Sequence, residues 1–229
     1  ASPHLLGYNE RVRLDRQPVD DASLCAAFAR VEAARAAAGN VALTYFEFGT
    51  LAAWEVFAAA NIDVAILEVG LGGRLDAVNV YEPDAAIVTG IALDHTDWLG
   101  PDRESIGSEK AGIFRAGRPA ICADPQPPQS LLDHAAAIGA DLQLIGRDFG
   151  QWTWWGRNNL RRGGLANPGI RGAQQLANAS AALAALDALK TKLPVDMQSV
   201  RRGLIEIELA GRFQLVPGKP AIVPRAIRV

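Results

Sequence analysis

Val64-Ala65-Ile66-Leu67-Glu68-Val69-Gly70-Leu71-Gly72-Gly73-Arg74-Leu75-Asp76-Ala77-Val78-Asn79 is the stretch whose reading decides the fold. It opens as a continuous apolar run, the pattern of a strand buried on both faces of a sheet. On that reading Asp63–Glu68 is the central strand of an α/β domain, with Glu68 at its carboxyl end, where open α/β sheets collect their ligands. A carboxylate ending a buried run needs a partner or a metal. The plainer alternative is a Gly-rich turn with Glu68 solvated. The glycines permit tight turns and close backbone approach. They do not complete a dinucleotide fingerprint, because the third glycine of G-x-G-x-x-G would fall on Leu75.

Outward from that stretch, strands and helices alternate. Asp20 or Asp21 can cap a helix from Ala22 to Ala38, with Leu24, Phe28 and Val31 at helical spacing. Leu43–Thr50 reads as an aromatic strand or loop entering a helix Thr50–Ala60. Its hydroxyls, rings and carboxylate suit either a pocket for a flat aromatic ligand or an aromatic packing edge. Tyr8–Arg13 is dense in charge and reads as loop then short strand, part of a polar site or a charge-paired surface. Asp84–Gly90 is a second buried strand, and just beyond it comes Asp94-His95-Thr96-Asp97, where carboxylates flank an imidazole. A helix follows to Gly112 with Lys110 in its last turn, where a cation complements the helix dipole. Arg118–Ala123 and Leu142–Ile145 read as strands around an amphipathic helix Ser130–Ile138. Phe149–Pro168, with Trp152, Trp154 and Trp155, reads as a β-hairpin excursion. Helices follow over Gln174–Lys190 and Val195–Ile205, then a turn into a strand over Ala210–Val216 and the start of a buried strand at Ala221–Val223. This order predicts a mainly parallel sheet flanked by helices.

The chain has 229 residues, 49% of them hydrophobic, and a formal net charge of −2. That is enough for a large core, and the charge argues against a dedicated nucleic-acid binder. Cys25 and Cys122 make neither a disulfide framework nor a metal set. No apolar run is long enough to span a bilayer and no signal peptide is evident, so the expectation is a cytoplasmic protein with no membrane partner.

Taken together, Ser2-Pro3-His4-Leu5, Tyr8–Arg13, Leu43–Thr50, Leu67–Asn79, Leu93–Gly100, Glu104–Ala116, the helix bearing Asn178, and Gly211–Gln214 resemble the bacterial bifunctional dihydrofolate synthase/folylpolyglutamate synthases of the Mur ligase superfamily. The segments run in family order over nearly the whole chain, and Leu67–Asn79 and Leu93–Arg115 carry the most specific matches. The resemblance implies the Mur-ligase central ATPase fold and a reaction. ATP phosphorylates a substrate carboxylate and the amine of L-glutamate displaces phosphate to give an amide. The implied substrates are dihydropteroate and reduced folates, with Mg²⁺ as the metal, and the implied state is a monomer. Position by position, it implies Ser2, Glu68 and His95 as Mg²⁺ ligands, with His95 also catalytic. Lys110 matches a lysine that the family carries as a carbamate, which would replace the dipole role by a metal-binding anion. Thr44, Tyr45, Phe46, Glu47, Leu75, Asp76 and Ala77 match the pterin pocket, and Asn178 and Arg212 match ATP contacts.

The family's glycine-rich phosphate loop lies upstream of Ser-Pro-His, and no G-x-x-x-x-G-K-[ST] occurs in the chain. Residues 224–229 do not continue the family pattern. The expectation is therefore a partial central domain over residues 1–223 with an aberrant tail over 224–229, inactive alone and with sheet surface exposed. Two other readings compete. One is a non-catalytic pterin-binding remnant or pseudogene product. The other is a metal-dependent hydrolase, which the chain's three histidines make the weakest.

Overall fold

A computed structural model describes residues 3–150, 154–157, 160–170 and 172–207. The chain divides at Tyr81/Glu82 into two compact units. Ser2, Trp152, Arg212, the strands expected over 210–223 and the tail lie outside the described residues.

The first unit starts with a short 3-10 helix, Tyr8–Arg11, and a two-residue hairpin of β1 (Arg13–Leu14) and β2 (Gln17–Pro18). Asp15 and Arg16, both at positive φ, make its turn. α1 (Asp21–Ala37) begins where Asp20 accepts the Ser23 N–H at 2.7 Å, as the capping pattern requires. α2 spans Tyr45–Ala60, five residues earlier than expected. The reason is a capping box: Thr44 Oγ1 accepts the Glu47 N–H and Glu47 Oε2 accepts the Thr44 N–H. The aromatic segment is thus the first turns of a helix, not a strand. α1 and α2 meet around Leu24, Ala27, Val31, Ala52 and Val56, closed by Val12 and Val19.

The expected central strand is corrected here. Residues 64–69 take no regular secondary structure and belong to no β-ladder among the described residues. Ile66 is 90% and Val64 45% exposed. An apolar run becomes a buried strand only if neighbours satisfy its backbone and cover its faces. The described part of this unit supplies neither.

The second unit has the parallel sheet expected from the alternation. β3 (Ala86–Val88), β4 (Pro119–Cys122) and β5 (Asp141–Leu144) pair in the order β3-β4-β5, with Ala86 opposite Ala120 and Ile121 opposite Gln143. Alternate residues of β4 feed opposite layers. Ala120 and Cys122 pack with Ile106 of α4 (Arg103–Ala111) and Leu131 of α5 (Gln129–Ile138). Ile121 packs on the other side with Phe149, Trp154 and the Ala181–Ala184 face of α6 (Ala173–Ala188). The single-turn helix α3 (Thr96–Leu99) precedes α4. The expected hairpin excursion is present as β6 (Trp154–Trp155) against β7 (Arg161–Arg162), and α7 (Met197–Ile205) follows α6. No helix among the described residues is long and apolar enough to cross a membrane.

Candidate active site

In the first unit, the Gly-rich loop folds around one carboxylate. Asp76 Oδ2 accepts the N–H groups of Gly70 and Leu71, both at 2.9 Å, and Oδ1 accepts the Val78 N–H. Gly72 sits at φ +70, the left-handed turn that favours glycine. Gly70 lies against the Phe46 ring so closely that a Cβ there would stand 2.6 Å from it. Pro3, Arg11, Phe46, Gly70, Leu71 and Asp76 line a shallow, open cleft of about 410 Å³. Of the residues expected to hold a pterin, Phe46 and Asp76 line this cleft. The carboxylate of Asp76 is already committed to backbone donors, and Thr44 and Glu47 cap each other. Tyr45 is 65% and Leu75 79% exposed. Glu68 is exposed as well, so the inference that burial forces it to find a partner does not hold.

A cluster in this unit was not singled out residue by residue from the sequence. The Arg11 guanidinium carbon lies 5.4 Å from the Tyr8 ring centroid and 5.6 Å from that of Tyr45. Arg11 Nε donates to His4 Nδ1 at 2.9 Å. The segment that carries His4 is tied down by Glu10, whose carboxylate accepts the N–H groups of Leu5, Leu6 and Gly7. Those three donors hold the Glu10 pKa down at about 2. The Tyr8–Arg13 charge density was the visible signal. The meeting of residues 4, 8, 11 and 45 was not.

In the second unit, β3 leads through Ile91 to His95. His95 takes φ +53, unusual for a side chain with a Cβ, and opens α3. Its N–H is accepted by Asp94 Oδ1 at 2.8 Å, and its Nε2 lies 3.6 Å from Asp94 Oδ2. The loop is anchored from below by a carboxylate the sequence reading passed over. Buried Asp124, just past β4, accepts the Ile91 N–H at 2.6 Å and Arg103 Nη2 at 2.9 Å. Arg103 Nε in turn donates to the Ile91 carbonyl. The carboxyl-end-of-strand argument made for Glu68 applies better to Asp124.

Lys110 lies in the last turn of α4, half-buried. Burial pushes its pKa down, and the negative charge of Asp94 partly opposes this. Asn178 is in the second turn of α6, with Nδ2 donating to Gln175 Oε1. Among the described residues, no group of three or more His, Cys, Asp or Glu side chains is gathered to hold a metal ion. Glu68 and His95 fall in different units.

Comparison with known proteins adds the decisive likeness. The dihydrofolate synthase/folylpolyglutamate synthase of Escherichia coli (strain K12) is 47% identical over 97% of this chain and 52% of its own length. The chain is similar to the bifunctional dihydrofolate synthase/folylpolyglutamate synthases. It spans about half the length of the curated relatives it matches. The solved structure of E. coli FolC in complex with DHPP and ADP matches with a TM-score of 0.86 and 47% identity, over 94% of this chain and 51% of that one. A bifunctional folylpolyglutamate synthase/dihydrofolate synthase with Mn, AMPPNP and L-glutamate bound matches with a TM-score of 0.86 and 49% identity, over 94% of this chain and 52% of that one. The described architecture is therefore the Mur-ligase fold. No family model matches the chain.

Proposed function

We propose that the protein to which this chain belongs is an ATP-dependent ligase that joins L-glutamate to dihydropteroate and to reduced folates. The observation that carries the proposal is the 47% identity over nearly the whole chain to a dihydrofolate synthase/folylpolyglutamate synthase. In the first step a carboxylate oxygen of the pterin substrate attacks the γ-phosphorus of ATP and ADP leaves. In the second, the glutamate amine attacks the acyl carbon and phosphate departs with that oxygen, while the amine gives up a proton.

On this reading the cleft beside Phe46 and Asp76 takes the pterin substrate, with Thr44, Tyr45, Glu47, Leu75 and Ala77 around it as pocket residues. Asn178 and Arg212 are proposed to contact ATP. The metal ligands are Ser2, Glu68 and His95, an assignment that rests on the resemblance. An imidazole with a neighbouring carboxylate, together with oxygen donors, is a donor chemistry that suits Mg²⁺ or Mn²⁺. The ion, when bound, supplies neutralisation of the phosphates. Lys110 is proposed to be carbamylated. A lysine with a lowered pKa presents more neutral amine, whose nitrogen bonds to the carbon of CO₂ and releases a proton. The product is an anion in place of an ammonium. The localisation proposed is cytoplasmic, in keeping with two free cysteines.

The test is a ligation assay on the protein containing this chain, with dihydropteroate, L-glutamate, ATP, Mg²⁺ and bicarbonate, read by mass spectrometry of the pterin product. Glutamylated product is expected, with Lys110→Ala reducing turnover about 100-fold or more, the scale of losing electrostatic stabilisation at a reacting centre. No product under any substrate pairing would remove the ligase reading and favour the non-catalytic binder.

A further inference from the structure

Arg11 stands out in the first unit for its setting. Among the described residues that line the 410 Å³ cleft, it is the only permanent cation. The other walls are the Phe46 ring, Leu71, Pro3, the Gly70 backbone and a carboxylate, Asp76, already spent on three backbone N–H groups. Such a wall set fits a flat apolar body and provides one charged recognition point. The guanidinium is held by two tyrosine rings and by the imidazole of His4, which Glu10 fixes from behind through Leu5, Leu6 and Gly7. The two rings stand edge-to-face at 5.8 Å and 85°, so the cation's position is set by packing. Four side chains from two separate segments serve to position one guanidinium, which is the investment a binding group needs and a surface charge does not.

We propose that Arg11 is the anion-recognising residue of this cleft and grips the carboxylate of a flat aromatic acid whose ring system lies against Phe46. The proposal deepens the folate-ligase reading and rests on it for the identity of the acid. It makes Arg11 the residue that distinguishes a substrate bearing a carboxylate from the same body without one. Arginine suits this role because its planar fork matches a carboxylate.

The test is calorimetric titration, without ATP, of the protein containing this chain with two matched pairs of probes: pteroate against its carboxamide, and benzoate against benzamide. The wild-type protein should bind each acid about 10- to 100-fold more tightly than its amide, the worth of one charge-assisted hydrogen bond to a charged group. Arg11→Met should abolish that preference while leaving amide affinity in place, and Arg11→Lys should retain part of it. Loss of fold would lower both affinities together, and the acid-to-amide ratio of the wild-type protein decides even if a variant does not fold. Preference for benzoate with no binding of pteroate would uphold Arg11 as the anion grip and remove the pterin reading of the cleft. Equal affinity for acid and amide in the wild type, or an undiminished preference in Arg11→Met, overturns the proposal.

Discussion

Two segments of this molecule share one sequence logic and meet different fates. Both Val64–Glu68 and Ala86–Val88 are apolar runs that lead to a candidate metal ligand, Glu68 in one case and His95 in the other. The second is a strand in a three-stranded parallel sheet, with β4 beside it and Ala86 and Val88 buried. The first is unladdered among the described residues and open to solvent, with Ile66 90% exposed. Hydrophobic patterning states what a segment could bury. Whether it does so depends on the neighbours that the same unit provides.

That contrast breaks most readily in the core. Leu131→Ala, at a fully buried position packed on the β3–β4 layer, is expected to destabilise by about 2–5 kcal/mol in chemical denaturation, whereas Ile66→Ala should stay within about 0.5 kcal/mol. A large loss from Ile66→Ala would mean that the run is buried after all. Asp124→Ala removes the anchor of the Ile91–His95 loop and leaves the Ile91 N–H without its acceptor. The expected cost is about 1–3 kcal/mol in the same measurement. Glu68→Ala, on the exposed segment, should be near neutral for stability while impairing ligation. If Asp124→Ala were silent, the loop that carries His95 would be held by something else.

The smallest effect concerns the loop over Arg11. The Glu10 pKa is depressed to about 2, so the contribution of its three hydrogen bonds is fully present above the ordinary glutamate value of 4.5. It is lost as pH falls through about 2. An NMR titration of the Glu10 carboxyl, with the amides of Leu5, Leu6 and Gly7 as reporters, should show a midpoint near 2. A midpoint at the ordinary value would mean that the loop is not tied down.

Local signals were legible because local chemistry carries them. Asp20 announced α1 as a cap, the helix ending at Gly112 was legible without its Asp102 cap, and the alternation of β4 follows from a strand that serves two layers. The Thr44-x-x-Glu47 capping box was equally local, yet the aromatics around it suggested a strand. What the sequence did not reveal depends on contacts across long separations. Arg11 acquires its setting from His4, Tyr8 and Tyr45, and Asp124 acquires its role from Ile91 and Arg103. Thr44 and Glu47 stood out as polar groups among aromatics and Asp76 through the resemblance, but their hydrogen bonds organise a helix start and a loop.

The measurement that reaches the central claim most directly follows an oxygen atom. With dihydropteroate labelled with oxygen-18 in its carboxylate, the protein containing this chain should release inorganic phosphate carrying one labelled oxygen for each amide formed, because the carboxylate is activated as an acyl phosphate. Glutamylated product with unlabelled phosphate would contradict that mechanism, and absence of both product and labelled phosphate would contradict the ligase itself.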